Sequence, residues 1–359
     1  MTTPQTPFRW GVIGAGGIAR RFCADMPYSR HGRIAAVGAR RPEAARALAA
    51  AVGPNVAALD IETLLAHNTL DAIYVATPNA QHLEYALAVI ASGKHVLVEK
   101  PIAPNAEDAM RLAQTAQEAG LLAMEAMWMR FTPGIERLRM MTREGVVGEP
   151  VRLEASLSFG HGFDAAKPVH DPVAGGALLD LGVYPVSLAL DLLGRPDNVA
   201  AAGTLAPNGS IAEAAIVLSY ASGALATLSC GFGAEGPNEA VLTGREGTLR
   251  AHRAFINPPL LSVRRTIRKQ PTGSGVTISQ TPSPWRERVK SLRAAAAAIK
   301  ARPIPIALRG TGLQYQADHF VECVRADMTD SPIMPLSQSI ETLEIVRKAD
   351  RLVRGASTT

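Results

Sequence analysis

Trp10-Gly11-Val12-Ile13-Gly14-Ala15-Gly16-Gly17-Ile18-Ala19 decides the fold of the first half of this 359-residue chain. An apolar strand runs straight into glycines at positions 14, 16 and 17, and a helical pattern follows. Such a turn lets a dinucleotide pyrophosphate approach backbone N–H groups at the positive end of a helix. As a bare pattern, Gly-x-Gly-x-x-Ala is weak. Its place between a strand and a helix, at the head of a βαβ region, makes it strong. The competing reading is a glycine-rich turn that holds nothing.

Outward from that stretch, apolar runs alternate with helical patterns through the first 125 residues, which predicts a doubly wound parallel sheet. Phe8 to Gly14, Arg33 to Ala39, Ala72 to Ala76 and His95 to Glu99 read as strands. Asn105-Ala106-Glu107-Asp108 reads as a capped helix start, with Gly120 as its stop. After about Met127 the period changes to two. Val151 to Phe159 alternates apolar and polar residues, as a half-buried strand of an antiparallel sheet does. Hairpins are expected from Ala215–Tyr220 with Ala224–Cys230, and from Ala240–Thr243 with Thr248–His252. Gly175 to Leu193 is helical in pattern despite Gly182 and Pro185, and Gln314 to Gly355 is helical with a break at Ser331-Pro332. The fold class expected is α/β plus α+β. Residues 1–126 would form a Rossmann dinucleotide-binding domain, and residues 127–359 a second domain on an open, mainly antiparallel sheet.

A hydrophobic content of 47% over this length suffices for two cores. No window is apolar enough to span a bilayer, and Met1 to Pro7 lacks the basic and apolar regions of an export signal, so a cytoplasmic location is expected. Cys23, Cys230 and Cys323 are few and widely spaced, with no Cys–His or Cys-x-x-Cys spacing, so they read as reduced core residues; no metal site is expected. The net charge of +5 conceals an asymmetry: between Leu261 and Gly310 eleven Lys or Arg face the single Glu287. That run is either a solvated face or the border of an anionic ligand, and without interleaved aromatics it gives no ground for nucleic acid. Gln270 to Pro284 reads as a low-order segment and Trp285 to Arg302 as an alanine-rich helix.

Strand two ends in Gly38-Ala39-Arg40-Arg41, with no carboxylate before Glu43. An acidic residue there would hold a ribose 2′-hydroxyl; two guanidinium groups suit a 2′-phosphate, so NADP(H) is expected over NAD(H) unless both arginines merely face solvent. Lys100 sits between Glu99 and Pro101 at a strand's carboxyl end, the edge where such sheets bind ligands, though it could be a surface anchor. Asp180 and Tyr184, four residues apart, share a helix face, either to act on a ligand or to bond each other.

On these residues the chain resembles the Gfo/Idh/MocA oxidoreductase family, which joins a Rossmann domain to an open antiparallel sheet. The resemblance covers nearly the whole chain: the glycine loop, Thr77-Pro78-Asn79 with His82, Glu99-Lys100-Pro101, and Gly175 to Tyr184. Met124 to Phe131, Gly175 to Tyr184 and Ser331 to Ser337 are similar to the branch of dimeric trans-dihydrodiol dehydrogenases and NADP-dependent D-xylose dehydrogenases. Many members carry histidine where this chain has Tyr184; the tyrosine fits that branch.

The resemblance implies an NADP(H)-dependent dehydrogenase or reductase of a small sugar, polyol or cyclic diol. Tyr184 would be the acid/base, and Lys100 would hold the reacting oxygen and favour the phenolate. Asp180 would orient the substrate or the lysine, and Trp128 would wall the pocket. Cofactor contacts would come from Gly14, Gly16, Gly17, Ile18 and Ala19, from Arg40 and Arg41, and from Thr77, Pro78, Asn79, His82, Glu99 and Lys100. His82 could equally be a buried histidine bonded to backbone. A homodimer or higher oligomer is implied through the sheet face away from the catalytic helix, expected to be apolar. Two other readings are a sugar–sugar oxidoreductase with tightly held cofactor, and a non-catalytic NADP(H)-binding sensor. The first is disfavoured by the lack of an export signal and long N-terminal arm, the second by the presence of both Lys100 and Tyr184.

Overall fold

The computed structural model describes residues 6–266, 285, 288–289 and 301–356. Its first sheet is wholly parallel and holds β1 (Phe8–Ile13), β2 (Gly32–Gly38), β3 (Ala57–Leu59), β4 (Ala72–Val75), β5 (His95–Glu99) and β6 (Ala123–Ala126). The strand order is β3-β2-β1-β4-β5-β6. Helices cover both faces, so the strands are continuous apolar runs: Val12, Ile13, Ile73, Val75, Leu97 and Val98 are wholly buried. The order reverses between β1 and β4. That switch point opens a crevice at the strands' carboxyl ends, flanked by the glycine loop after β1 and Thr77-Pro78-Asn79 after β4. The helices of this half are α1 (Gly17–Asp25), α2 (Pro42–Val52), α3 (Ile61–Leu65), α4 (His82–Ala91) and α5 (Ala106–Glu118). α5 starts and stops as expected: the Asn105 side chain accepts from Asp108 N at 2.9 Å, and Gly120 has φ +66°.

The second sheet contains β7 (Pro150–Ser158), β8 (Asn198–Leu205), β9 (Ile211–Ser219), β10 (Leu225–Gly231), β11 (Ala240–Gly244), β12 (Gly247–Ala251), β13 (Leu260–Arg265) and β14 (Arg302–Pro305). Its order is β14-β13-β12-β11-β7-β10-β9-β8, and every pair is antiparallel except β7 with β10. Both expected hairpins are present, as β9–β10 and β11–β12. Alternation along β7 sends Leu153, Ala155 and Leu157 into the core. Against that inner face lie α6 (Pro133–Arg143) and α7 (Val183–Leu193). Pro185, third residue of α7, follows the π-helical turn Leu178–Gly182 without a break, so its missing N–H leaves one carbonyl of that turn without a helical partner. The outer face is not the apolar surface expected. Val217 and Leu225 are exposed there, but Arg152, Glu154, Arg250 and Arg264 share it, because strands covered on one side keep polar residues at alternate positions.

Two helices close the chain, α8 (Leu313–Arg325) and α9 (Leu336–Ala356), parted at Ser331-Pro332. α9 packs on α7 and β8 and also on α5 and β6, and Arg347 donates to the Pro104 carbonyl at 2.6 Å. The low-order segment expected over 270–284 and most of the alanine-rich helix lie outside the described residues. Trp285, Arg288 and Val289 are helical, whereas Arg302 already belongs to β14. Among the described residues no helix is long and apolar enough to cross a membrane, and no group of three or more His, Cys, Asp or Glu could hold a metal ion.

Candidate active site

The crevice at the switch point is a cleft of about 760 Å³. At Gly14 the backbone has φ +118°, and a Cβ would lie 2.4 Å from the Ala76 carbonyl oxygen, so only glycine lets β1 and β4 meet here. A Cβ on Gly16 or Gly17 would meet nothing within 4 Å, which leaves the space before the N-terminus of α1 open. No side chain caps that terminus, and its N–H groups face the cleft with the macrodipole's positive end. Arg40, Arg41 and Tyr85 line the far end, and neither arginine has an acidic partner among the described residues. The Thr77 hydroxyl is buried without a hydrogen-bond partner at the near end. An orphaned hydroxyl, free helical N–H groups and an open glycine cradle fit a dinucleotide.

The expected cofactor residues divide by what they touch. Gly14, Gly16, Gly17, Ile18, Thr77 and Pro78 line the cleft. Ala19 is wholly buried in the core instead, where its small side chain lets α1 pack closely on the sheet. Asn79 lines the neighbouring pocket and donates to the Ala174 carbonyl at 3.0 Å. Both ring nitrogens of His82 face carbonyl oxygens, Pro101 at 2.7 Å and Thr77 at 2.8 Å, so this residue ties the two loops that carry Thr77 and Lys100. Burial lowers its pKa, against the pull of both carbonyls.

Beyond Thr77 opens a second pocket of about 410 Å³, where Glu99, Lys100, Trp128, Asp180 and Tyr184 converge. Lys100 precedes a cis proline, Pro101. Its ammonium donates to the Asp180 carboxylate at 2.8 Å and to the Asp180 carbonyl at 2.7 Å, and lies 4.9 Å from the centre of the Tyr184 ring. The carbonyl belongs to a π-helical turn, Leu178–Gly182, that leads into α7; such turns recur at functional sites because they re-aim backbone and side chains. Asp180 therefore orients the lysine. Tyr184 does not bond Asp180: its hydroxyl accepts from the Trp128 indole at 3.0 Å.

Burial opposes the Lys100 charge, but Asp180, Tyr184 and Glu99 outweigh it and raise the pKa, so the group stays an ammonium. Burial also raises the Tyr184 phenol, more than Lys100 lowers it. The Lys100 charge thus pulls toward the phenolate, as expected, but in a dry pocket desolvation of the anion is the larger effect. Glu99 accepts from Tyr74 OH and from Lys100 N, and burial pushes its carboxyl up to about 7.

Several lining residues escaped the sequence reading: Arg21, Leu157, Phe159, Ile256, Thr311 and Leu313. Leu157 and Phe159 keep the alternation of β7, and Arg21 follows Ile18 at helical spacing, so those three carried a signal. Thr311 and Leu313 carried none. Arg130 is another omission: it donates to Ser187 Oγ at 2.9 Å and to the Ser187 carbonyl at 2.7 Å, which fixes α7 beside the segment bearing Trp128. The three cysteines are free and buried, and burial raises the thiols, Cys23 to about 12 and Cys323 to about 11. A Cys–His pair does exist, contrary to the sequence reading: Cys323 Sγ is 3.3 Å from His319 Nε2 one turn earlier, but its raised thiol is no nucleophile.

Residues 8–127 match the model of an oxidoreductase family with a NAD-binding Rossmann fold, and residues 135–250 match the C-terminal domain of the same family. The chain belongs to the Gfo/Idh/MocA oxidoreductase family. It is 29% identical over 355 residues to trans-1,2-dihydrobenzene-1,2-diol dehydrogenase of Mus musculus, covering 95% of this chain and 96% of that protein. The Homo sapiens protein of the same name is 28% identical, with the same coverage. Among solved structures, a 3-ketoreductase from Actinomadura kijaniata in complex with NADP and TDP-benzene superposes with a TM-score of 0.77 at 25% identity, covering 98% of each chain. An aldose–aldose oxidoreductase from Caulobacter crescentus shares the fold with a TM-score of 0.80 at 20% identity, again over 98% of each chain. This Gfo/Idh/MocA oxidoreductase thus places its dinucleotide cleft and its Lys100–Tyr184 pocket side by side, with Ile18 and Thr77 on the wall of both.

Proposed function

We propose that this oxidoreductase uses NADP(H), in preference to NAD(H), to transfer a hydride between the nicotinamide and a hydroxyl or carbonyl carbon of a small sugar, polyol or cyclic diol. The observation that carries the reading is the convergence of the Lys100 ammonium and the Tyr184 phenol in one pocket next to the dinucleotide cleft. Arg40 and Arg41, unpaired at the cleft's far end, support the 2′-phosphate. The bound nicotinamide would supply or accept the hydride. Gly16, Gly17 and Thr77 would hold the dinucleotide, and Arg40 with Arg41 would select it.

In the reducing direction, the Lys100 ammonium donates a hydrogen bond to the carbonyl oxygen and Tyr184 OH delivers the proton as negative charge develops there. Asp180 keeps Lys100 charged and aimed; Trp128 holds the phenolic oxygen. In the oxidising direction the substrate hydroxyl gives its proton to the Tyr184 oxygen, which must first be deprotonated. Retention of both Lys100 and Tyr184 supports a catalyst over a sensor. A screen of NADP⁺ reduction across aldoses, polyols, inositols and aromatic dihydrodiols tests the reading. A protein that binds NADP(H) yet oxidises none of them is a sensor instead.

The reading includes a homodimer or higher oligomer through the outer face of the second sheet. Exposed Val217 and Leu225 beside charges of both signs support a self-complementary contact. Light scattering decides it, and a monomer ends it.

A further inference from the structure

We propose that Arg21 determines substrate specificity by binding an anionic substituent, a carboxylate or a phosphate, on the hydroxylated substrate. The inference rests on the function proposed above and narrows its substrate class.

Arg21 and Ile18 are three residues apart on α1, and both line the pocket that holds Lys100 and Tyr184. On a helix surface the natural partner of Arg21 is Asp25, four residues on. That carboxylate is committed elsewhere. It accepts from Thr311 N at 2.8 Å, Thr311 Oγ1 at 2.6 Å, Gly312 N at 2.9 Å and Leu313 N at 2.9 Å, and is only 3% exposed. Asp25 thereby fixes Thr311 and Leu313 on the pocket wall and leaves Arg21 with no acidic partner among the described residues.

The pocket's own carboxylates do not compensate it. Asp180 is paired with Lys100, and Glu99 is turned to Tyr74 OH and the Lys100 N–H. One cation therefore faces the pocket unopposed. Arg21 is an exposed residue on the pocket wall, to which a neutral polyol offers only weak hydrogen bonds, whereas a carboxylate or phosphate would accept two charged ones in the planar fork that Arg presents. The dinucleotide pyrophosphate is the less suitable acceptor. Its place is the helix start at Gly16 and Gly17, and Arg21, more than a turn further on, lines the catalytic pocket and not the dinucleotide cleft.

The test is calorimetric titration of the wild-type protein and Arg21→Gln, each loaded with NADP⁺, with an aldose, the corresponding aldonate and the corresponding sugar phosphate. The wild type should bind at least one of the two anions about tenfold or more tightly than the aldose, as expected for charged hydrogen bonds. Arg21→Gln should abolish that preference while its affinity for the aldose and for NADP⁺ stays within about twofold, and kcat/KM should divide in the same way. Which anion is preferred identifies the substituent. A wild type without preference for either anion overturns the proposal, and so does a loss of NADP⁺ affinity in Arg21→Gln, which would assign the guanidinium to the cofactor. In both cases turnover of a neutral aldose or diol leaves the dehydrogenase reading standing; a protein that binds no NADP⁺ removes that reading itself.

Discussion

The Lys100 ammonium is held at both ends of one residue, 2.8 Å from the Asp180 carboxylate and 2.7 Å from the Asp180 carbonyl. The carbonyl bond fixes position; the carboxylate keeps the charge in a site where burial works against it. Asp180→Asn preserves the first and removes the second. Its kcat should fall by about tenfold or more, with NADP(H) dissociation constants within about twofold, and the pH above which activity is lost with the Lys100 proton should move down. Lys100→Met should cost at least about a hundredfold in kcat. Steady-state kinetics beside fluorescence titration of the cofactor checks both; near-normal turnover in Lys100→Met would take the lysine out of the mechanism.

Tyr184 titrates above an ordinary phenol because burial outweighs the nearby ammonium. The acid form therefore dominates at neutral pH, so reduction should hold level across the neutral range while oxidation climbs as pH rises into the alkaline range. Tyr184→Phe should lower kcat at least about a hundredfold in both directions. Trp128→Phe removes the indole donor that stabilises the phenolate, so the rise of oxidation with pH should shift to higher pH. Profiles of kcat/KM for the two directions that rise and fall together would contradict this assignment.

Much of this site could be read before any coordinates, because the residues concerned sit next to local signals. Gly14, Gly16 and Gly17 are announced by a strand, Lys100 by Glu99 and Pro101, and Tyr184 by its spacing from Asp180. What stayed hidden is made by distant contacts. Thr311 and Leu313 reach the pocket because Asp25, some 286 residues earlier, captures their N–H groups, and no periodicity records such a bond. β8 escaped for a different reason: Asn198–Leu205 has three consecutive alanines followed by a glycine at its centre, so its alternation is faint. The pull of Lys100 on the Tyr184 phenol could be read from the pattern, but the larger, opposing effect of burial could not, because depth of burial leaves no mark in a sequence.

On the proposed preference for NADP(H), Arg40 and Arg41, which line the dinucleotide cleft, would hold the 2′-phosphate. Each charged hydrogen bond to a 2′-phosphate is worth roughly 1.5–3 kcal/mol, so Arg40→Ala together with Arg41→Ala should raise the dissociation constant for NADP⁺ by about 100-fold or more. NAD⁺, which lacks that phosphate, should bind the variant within about twofold of its wild-type affinity. A parallel loss for both coenzymes would mean that the arginines act on the shared adenosine or pyrophosphate, and equal or tighter NAD⁺ binding by the wild type would end the preference.

Glu99 should make folding stability fall with rising pH over a defined window. Burial lifts its carboxyl from 4.5 to about 7, against the pull of Tyr74 OH and Lys100. Between those values the folded chain holds a proton that the unfolded chain has released, so the contribution of this group is complete below about pH 4.5 and is lost as pH rises toward about 7. A shift of that size corresponds to at most ~3 kcal/mol. Glu99→Gln stays neutral throughout and keeps both neighbours satisfied, since its carbonyl can accept from Lys100 N–H while its amide donates to the Tyr74 oxygen. The variant should therefore gain on the wild type steadily across this window and no further above it. Urea unfolding of the two proteins without cofactor, at a series of pH values, measures that difference directly. Curves that run parallel from pH 4.5 to about 7 would show that Glu99 is ionised in the folded chain throughout, and the Tyr74 hydrogen bond would then be one to a carboxylate.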